Sequence, residues 1–263
     1  MLAIIFLGIC IAILVAFALV LLTFLDVVLA EPTEQLSSSR QWQPPLMRGN
    51  DLRSWAAEMA SAATNKWLTQ PRDKETAFAI ASEVYQGASN AIAHSQNVVQ
   101  QISPNCPSCR QKMIGVTPPE ALLIAEAVRK NLSNKKARQI YAQSKVNAKR
   151  VANFDPQQYE KSEVTCPLWD GESYCMVFRT RPLQCRGWCS DTSCKSRDRS
   201  AETHAHTVGI GAEDGLSKSL QNSGLDGTVY ELNSALAAAL DASIASEEWV
   251  RGNSVFENCK RYA

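Results

Sequence analysis

The sequence predicts a mainly α-helical protein that begins with an apolar helix and contains an irregular cysteine-rich segment. Apolar residues recur at three- and four-residue spacing in several stretches after residue 50. Alternation of apolar and polar residues, which is typical of half-buried strands, extends over only a few positions. The aromatic content of 7% is low, and Ala and Gln are abundant. This composition favours helices over sheets.

The first 25 residues, MLAIIFLGICIAILVAFALVLLTFL, carry no charged side chain. As a helix they would be about 37 Å long, enough to cross a hydrocarbon core of about 30 Å. A cleaved signal peptide is the alternative, with Val28–Ala30 as the cleavage site, but no basic residue precedes Arg40. We therefore expect a retained single-pass transmembrane anchor at residues 1–25. Arg40, Arg48 and Arg53 follow it, so the positive-inside rule favours a cytoplasmic body.

The rest of the chain divides by composition and helical spacing. Residues 30–50 are rich in Pro, Ser and Gln and lack a period, which is typical of a linker. One helical pattern follows the linker and ends before Pro71, and a second runs from Lys74 to Gln101. The predicted boundaries are 1–25 for the anchor, 26–50 for the linker, 51–102 for a helical hairpin, 103–200 for a cysteine-cluster domain and 201–263 for C-terminal helices that pack on it.

Local signals place several helix ends. Thr117 is predicted to be an N-cap with Pro118 at the first helical position and Glu120 as the third residue of a capping box. SNKKARQIYAQSKVNAKR predicts a basic, solvated helix, and Asp155-Pro156 predicts the start of a short one.

Further along, the chain is predicted to be polar loop as far as His206, and GIGAEDG is predicted to be a loop because no strand precedes it. Two helices are predicted in the stretch from Gly211 to Val250, separated by Gly224 and with Asp226 as the second N-cap.

The net charge excludes one class of partner. The chain has 27 basic and 26 acidic residues, so nothing in the charge indicates nucleic acid as a partner. The expected partners are the membrane, through the N-terminal helix, and the subunits of a larger membrane complex.

Five of the nine cysteines lie in the 29 residues CPLWDGESYCMVFRTRPLQCRGWCSDTSC, which run from Cys166 to Cys194. Cys106 and Cys109 form a separate Cys-x-x-Cys pair, which can direct two thiols at one centre. Cys10 lies in the apolar N-terminal run, where it acts as a small hydrophobe. A cluster of thiols among charged residues favours a metal ion or an iron–sulfur cluster, and disulfides are the alternative if the body is exported.

CPLWDGESYCMVFRTRPLQCRGW resembles the second half of the YkgJ-type cysteine-cluster family, a zinc- or iron-chelating domain. The resemblance lies in Cys166-Pro-Leu-Trp, Cys175 and the Arg181-Pro-Leu-Gln-Cys185-Arg186-Gly-Trp run, and it spans about Cys106 to Cys194. The chain departs from the family pattern after Cys109, where Arg-Gln-Lys replaces a Cys-Cys pair. The resemblance implies a thiolate-held metal centre with ligands Cys106, Cys109, Cys166, Cys175 and Cys185. Cys189 is added because it lies close in sequence.

These observations predict a membrane-anchored metal-binding protein that holds an iron–sulfur cluster, or a zinc or iron ion, with a redox or structural role. The alternatives are an enzyme that uses the cluster to modify a protein, since larger proteins with a similar domain are lysine methylases of flagellin, or an accessory subunit of a membrane complex. The sequence does not decide whether Cys194, Cys259, His204 and His206 are ligands. No acid–base constellation indicates an active site.

Arg181 and Arg186 flank Cys185, and the sequence leaves their role open. They could favour the thiolate form of nearby cysteines, bind an anionic substrate, or simply neutralise a thiolate centre or cap helix ends.

Overall fold

The computed structural model describes residues 49–95, 112–172, 174–188 and 199–262. Within them the chain is mainly helical. The helices are α1 (Gly49–Leu68), α2 (Thr76–Ser95), α3 (Pro118–Asn131), α4 (Asn134–Arg150), α5 (Pro156–Lys161), α6 (Leu183–Trp188), α7 (Arg199–Asn222), α8 (Leu232–Asp241) and α9 (Ala245–Val250), with a 3₁₀ turn at Phe178–Thr180. Two short strands, β1 (Gly115–Val116) and β2 (Tyr230–Glu231), pair antiparallel.

The prediction of a membrane-spanning, single-pass protein needs correction. Among the helices in the described ranges, none combines the length and the apolar character that crossing a bilayer requires. The anchor predicted at residues 1–25 lies outside the described residues, as does Cys10.

Helices α1 and α7 approach each other closely because glycines lie between them. A Cβ atom on Gly211 would lie 2.4 Å from the carbonyl oxygen of Arg53, and one on Gly215 would lie 2.0 Å from that of Ala57. No real Cβ tolerates such distances, so only glycine permits this backbone approach. The prediction that GIGAEDG is a loop was therefore wrong, because these residues form part of α7 and pack against α1.

The N-terminus of α3 has the predicted form. Thr117 is the N-cap, and Thr117 and Glu120 form a reciprocal capping box with Pro118 at the first helical position. Asp155 and Gln158 form a second capping box at the start of α5, which confirms the helix predicted from Asp155-Pro156. Both helices begin where the local sequence satisfies the first backbone N–H groups.

The region after residue 198 differs from the prediction in two places. His204 and His206, expected in a polar loop, lie within α7. Gly224 has the left-handed φ of 74° that was expected after a helix end. Asp226, however, is not an N-cap. Its side chain accepts hydrogen bonds from Thr228 N and Tyr230 Oη, and α8 begins later with Glu231 as its N-cap.

One hydrophobic core links all three predicted segments of the described chain. It includes Ala56 of α1, Val84 of α2, Ile124 of α3, Leu183 of α6 and Leu236 of α8, each almost completely buried. The predicted boundary positions at 102 and 200 stay predictions, but segments on both sides of each contribute to this shared core.

Candidate functional site

The segment Arg181–Arg186 is buried in full, although it contains two arginines and a glutamine. It enters helix α6, which carries Cys185, and packs against α7 and α2. Charged side chains are rarely buried unless they are paired, so each one in this segment needs a structural account.

Glu120 holds one side of the segment. Its carboxylate accepts hydrogen bonds from Thr117 N at 2.8 Å, Thr117 Oγ1 at 2.9 Å and Leu183 N at 2.9 Å. The hydroxyl of Tyr85 donates a fourth bond at 3.3 Å. One carboxylate therefore caps the starts of both α3 and α6. Burial raises the pKa of Glu120 and outweighs these donors, which lower it.

Gln184 holds the other side. Its Oε1 accepts a hydrogen bond from Gly115 N at 2.8 Å, which fixes the amide orientation. Its Nε2 then donates to Glu213 Oε2 at 3.0 Å and Oε1 at 3.2 Å. Glu213 is 7% exposed, and burial, aided by repulsion from Glu120, raises its pKa to about 8. This carboxyl therefore holds a proton through much of the neutral range.

Arg186 has a structural role in the described residues. Its guanidinium donates to Arg181 O, Arg179 O and Ser89 Oγ at 2.7 to 3.1 Å. It also lies 4.3 Å from the ring centre of Tyr85. Burial lowers its pKa to about 10 against the attraction of Tyr85, Glu120 and the thiol of Cys185. Arg186 ties the 3₁₀ turn and α6 to α2.

Arg181 differs from Arg186. It is 3% exposed and lies 4.4 Å from the ring centre of Phe178. Its Nε and Nη1 are buried, and no atom of the described structure accepts a hydrogen bond from them. Leaving buried N–H groups of a cation without an acceptor costs about 1–3 kcal/mol or more, so Arg181 is the polar group here that the described fold does not explain.

Cys166 and Cys175 lie in a small hairpin that precedes this segment. Trp169 and Cys175 form an isolated antiparallel bridge, and Met176 N donates to Leu168 O at 2.9 Å. Cys166 is half-buried and lines a cavity of about 350 Å³ between α4 and the hairpin. The thiols of Cys166, Cys175 and Cys185 all contact the same hydrophobic core.

The thiols of Cys166 and Cys185 both influence the phenol of Tyr159. Tyr159 has a pKa raised by burial and then by Glu231, and the thiols of Cys166 and Cys185 add to the same effect. Both sulfur atoms therefore lie within electrostatic range of the Tyr159 hydroxyl. These two cysteines, 19 positions apart in sequence, both act on the phenol of Tyr159.

Cys259 lies apart from this group. Its Sγ donates to Ser234 O at 3.4 Å beside a different cavity, and burial raises its pKa to about 11. A thiol that keeps its proton is a poor metal ligand. The sequence did not decide whether Cys259 is a ligand, and in the structure its thiol donates to Ser234 O.

The prediction of a metal-binding cysteine cluster needs correction for the described ranges. Within them, no group of three or more His, Cys, Asp or Glu residues is arranged to hold a metal ion. Cys106, Cys109, Cys189 and Cys194 lie outside the described residues. The described donors that fit a thiolate centre chemically are Cys166, Cys175 and Cys185, and they do not complete a site by themselves.

The sequence interpretation missed Glu213 and Gln184. Gln184 was noted only as one residue of the run between Pro182 and Cys185 and was given no role. Glu213 lies in GIGAEDG, which was interpreted as a loop, and it was given no role either. A buried carboxyl on a helix face has no local signature. The only signal was that Glu213 follows Ile210 and His206 at helical spacing, which the loop prediction hid.

Comparison with known proteins adds no assignment. No known protein family, curated protein or solved structure matches the chain.

Proposed function

We propose that this protein holds an iron–sulfur cluster, or a zinc or iron ion, through cysteine thiolates. Cys166, Cys175 and Cys185 would supply ligands from the described chain. Cys106, Cys109 and Cys189 are the other candidate ligands, and at least one of them would be needed, because four thiolates are the usual requirement of either type of centre. The resemblance of the Cys166–Trp188 segment to the YkgJ-type family motivates the same ligand set.

The observation that carries the proposal is a pair of buried guanidiniums close to Cys185 in sequence, of which Arg186 interacts electrostatically with the Cys185 thiol. A thiol next to cationic groups is favoured as the thiolate, which is the form that binds metals. Arg186 is occupied by backbone oxygens and Ser89, whereas the Nε and Nη1 groups of Arg181 have no acceptor in the described structure. The sulfur atoms of a thiolate-held centre would accept those N–H groups and offset the charge. When bound, such a centre supplies electron transfer if it is an iron–sulfur cluster, and a structural clamp if it is zinc.

The roles of the chain's own residues follow from their contacts. Glu120 and Gln184 hold the start of α6, and thereby Cys185, through bonds of 2.8 to 3.2 Å. The hairpin closed by the Trp169–Cys175 bridge carries the thiols of Cys166 and Cys175. The site is thus supported by rigid elements, as a metal centre requires.

The test is metal analysis of the full chain purified without oxygen. Iron, sulfide and zinc are counted on one sample, and the visible spectrum is recorded. A band near about 400 nm with iron and sulfide in similar amounts identifies a cluster. About one zinc per colourless chain identifies a zinc site.

Two cysteine variants make the result specific. Cys185→Ser should lose most of the bound metal, and Cys259→Ser is the matched control that should retain it, because Cys259 bonds to Ser234 away from the other thiols. Circular dichroism reports whether Cys185→Ser folds. If Cys185→Ser does not fold, Cys166→Ser is used instead, because Cys166 is only half-buried. A wild-type chain without metal, or a folded Cys185→Ser or Cys166→Ser variant with unchanged metal content, would overturn the proposal.

A further inference from the structure

A second cavity, separate from the cysteines, lies behind Gln184. It has a volume of about 360 Å³ and is bounded by residues before β1, by α5, α6, α7 and by the C-terminal segment. Its polar walls are Lys112, Glu160, Gln184, His206, Glu213 and Tyr262. A cavity of this size with a few convergent polar groups is the usual form of a small-molecule site.

The cavity has a buried floor and an exposed mouth. Glu213 and Gln184 are each 7% exposed and form the floor. Lys112 and Glu160 form an ion pair of 2.6 Å whose side chains are 30% and 48% exposed, which places them at the mouth. His206, Ile210 and Glu213 lie at positions i, i+4 and i+7, so one face of α7 supplies a complete wall.

The charges on the walls define the ligand. Lys112 is already paired with Glu160, so ionised Glu213 leaves the cavity with an excess of one negative charge. The described donor to Glu213 is a single neutral amide, Gln184 Nε2, which serves both carboxyl oxygens. The titratable or charged groups that act on Glu213 or share its cavity are Glu120 from α3, Asp214 and His206 from α7, Glu160 from α5, Lys112 before β1 and Tyr262 at the C-terminus.

We propose that this cavity binds a small primary-amine cation, with its ammonium group against the carboxylate of Glu213 and its short alkyl part against Ile210 and Met113. Binding would transfer no group and form no covalent bond. The ammonium would supply the positive partner that a buried carboxylate needs. Because Glu213 otherwise keeps a proton near neutral pH, each binding event releases that proton to solvent.

The pH dependence follows from this exchange. With a pKa of about 8, Glu213 is ionised in about a tenth of the molecules at pH 7 and in most of them at pH 9. An alkylammonium, like the lysine ammonium with a pKa of about 10.4, is still charged at pH 9. The affinity for the amine should therefore rise about tenfold between pH 7 and pH 9.

The experiment is a titration of the ¹⁵N-labelled full chain with propylamine, with 1-propanol as the neutral probe of similar size. Two reporters touch the site: the backbone N–H of Gly115 and the side-chain NH₂ of Gln184. Propylamine should shift both signals with a saturating curve, about tenfold more tightly at pH 9 than at pH 7, and 1-propanol should not.

The variants separate Glu213 from general surface effects. Glu213→Gln should abolish the saturating shifts and their pH dependence, whereas Glu257→Gln, an exposed carboxylate outside the cavity, should leave both unchanged. If Glu213→Gln does not fold, Ile210→Phe fills the cavity without touching the carboxyl and should block the amine. Equal shifts with propylamine and 1-propanol, or retained amine binding in Glu213→Gln or Ile210→Phe, would overturn the proposal. Metal content, measured on the same samples, is independent of either outcome.

Discussion

The two sides of the buried Arg181–Arg186 segment carry the same chemical group in different surroundings. On the side of α3, Glu120 accepts hydrogen bonds from Thr117 N, Thr117 Oγ1, Leu183 N and Tyr85 Oη. On the side of α7, Glu213 borders a cavity, and Gln184 Nε2 is its one hydrogen-bond donor among the described residues. Burial alone therefore does not determine the role of a carboxyl. The number of donors around it separates a structural group from one with capacity left for a ligand.

The largest effect should come from removing the well-satisfied carboxyl. Glu120→Ala leaves four donors without their acceptor inside the core, so we expect a loss of about 3–5 kcal/mol in the free energy of unfolding. Urea denaturation followed by circular dichroism measures it. Glu126→Ala on the same helix, where Glu126 only pairs with Lys130 at the surface, should change stability by less than about 1 kcal/mol. Similar losses in both variants would contradict the structural role of Glu120.

A smaller effect is expected from pushing Gln184 away from Glu213. A Cβ atom on Gly115 would lie 2.7 Å from Gln184 Nε2 and 2.7 Å from Val229 Cγ1. Gly115→Ala should therefore cost about 1–3 kcal/mol through overpacking. Gly171→Ala is a comparison in which a Cβ would touch nothing and only its φ of 99° is strained.

The Gly115→Ala and Gly171→Ala variants should also respond differently in the propylamine titration. Gly115→Ala should alter the response of the Gln184 amide to propylamine, because it displaces the side chain that holds Glu213. Gly171→Ala should not, since Gly171 lies in the hairpin between Cys166 and Cys175 and outside the cavity. An unchanged Gln184 response in Gly115→Ala would show that this side chain does not position the carboxyl.

The pH dependence of stability distinguishes the two carboxyls directly. Glu213 has a pKa near 4.5 in the unfolded chain and about 8 in the folded one, so the folded state holds one extra proton between these values. Its contribution to stability is fully present below pH 4.5 and is lost as pH rises to about 8, at about 1.4 kcal/mol per pH unit.

Glu213→Gln should remove this slope, and the difference between wild type and variant separates it from the effects of Glu120 and Glu231, whose pKa values burial also raises. The measurement is a series of urea denaturations between pH 5 and pH 8. An identical slope in the variant would show that Glu213 is not the titrating group.

The smallest effect is expected at the mouth of the cavity. The Lys112–Glu160 pair is partly exposed, so Glu160→Gln should change the free energy of unfolding by less than about 1 kcal/mol. It should still weaken amine binding, because it removes one negative charge from the mouth of the cavity. Thermal denaturation checks the first expectation and the propylamine titration the second. A large stability loss would mean that the pair is structural.

Local sequence was sufficient where the partners of a residue lie within one helical turn. Thr117 and Glu120, and Asp155 and Gln158, are three positions apart, so the capping boxes could be read from the chain and are confirmed. The left-handed φ of Gly224 was also predictable from nearby residues, because Gly224 follows the end of a helix. Asp226 was misassigned because its carboxylate bonds to Thr228 and Tyr230 instead of starting a helix.

Long-range contacts decided the rest. Gln184 and Glu213 are 29 positions apart, Glu120 and Leu183 are 63 apart, and Ser61 bonds to the carbonyl of Gly215 across 154 positions. No pattern along the chain encodes such a pairing. The glycines of α7 were taken for a loop because their purpose, close contact with α1, is visible only once both helices are placed.

The sequence by itself determined that the chain is rich in helices, where several of them begin, and which cysteines share a segment, because these follow from backbone hydrogen bonding and residue spacing. The three-dimensional arrangement revealed that Arg186 is hydrogen-bonded, that Arg181 Nε and Nη1 have no acceptor among the described residues, that Cys259 donates to Ser234 O, and that Glu213 borders a cavity. The physical reason is that burial and donor count, which control charge and reactivity, are properties of neighbours in space.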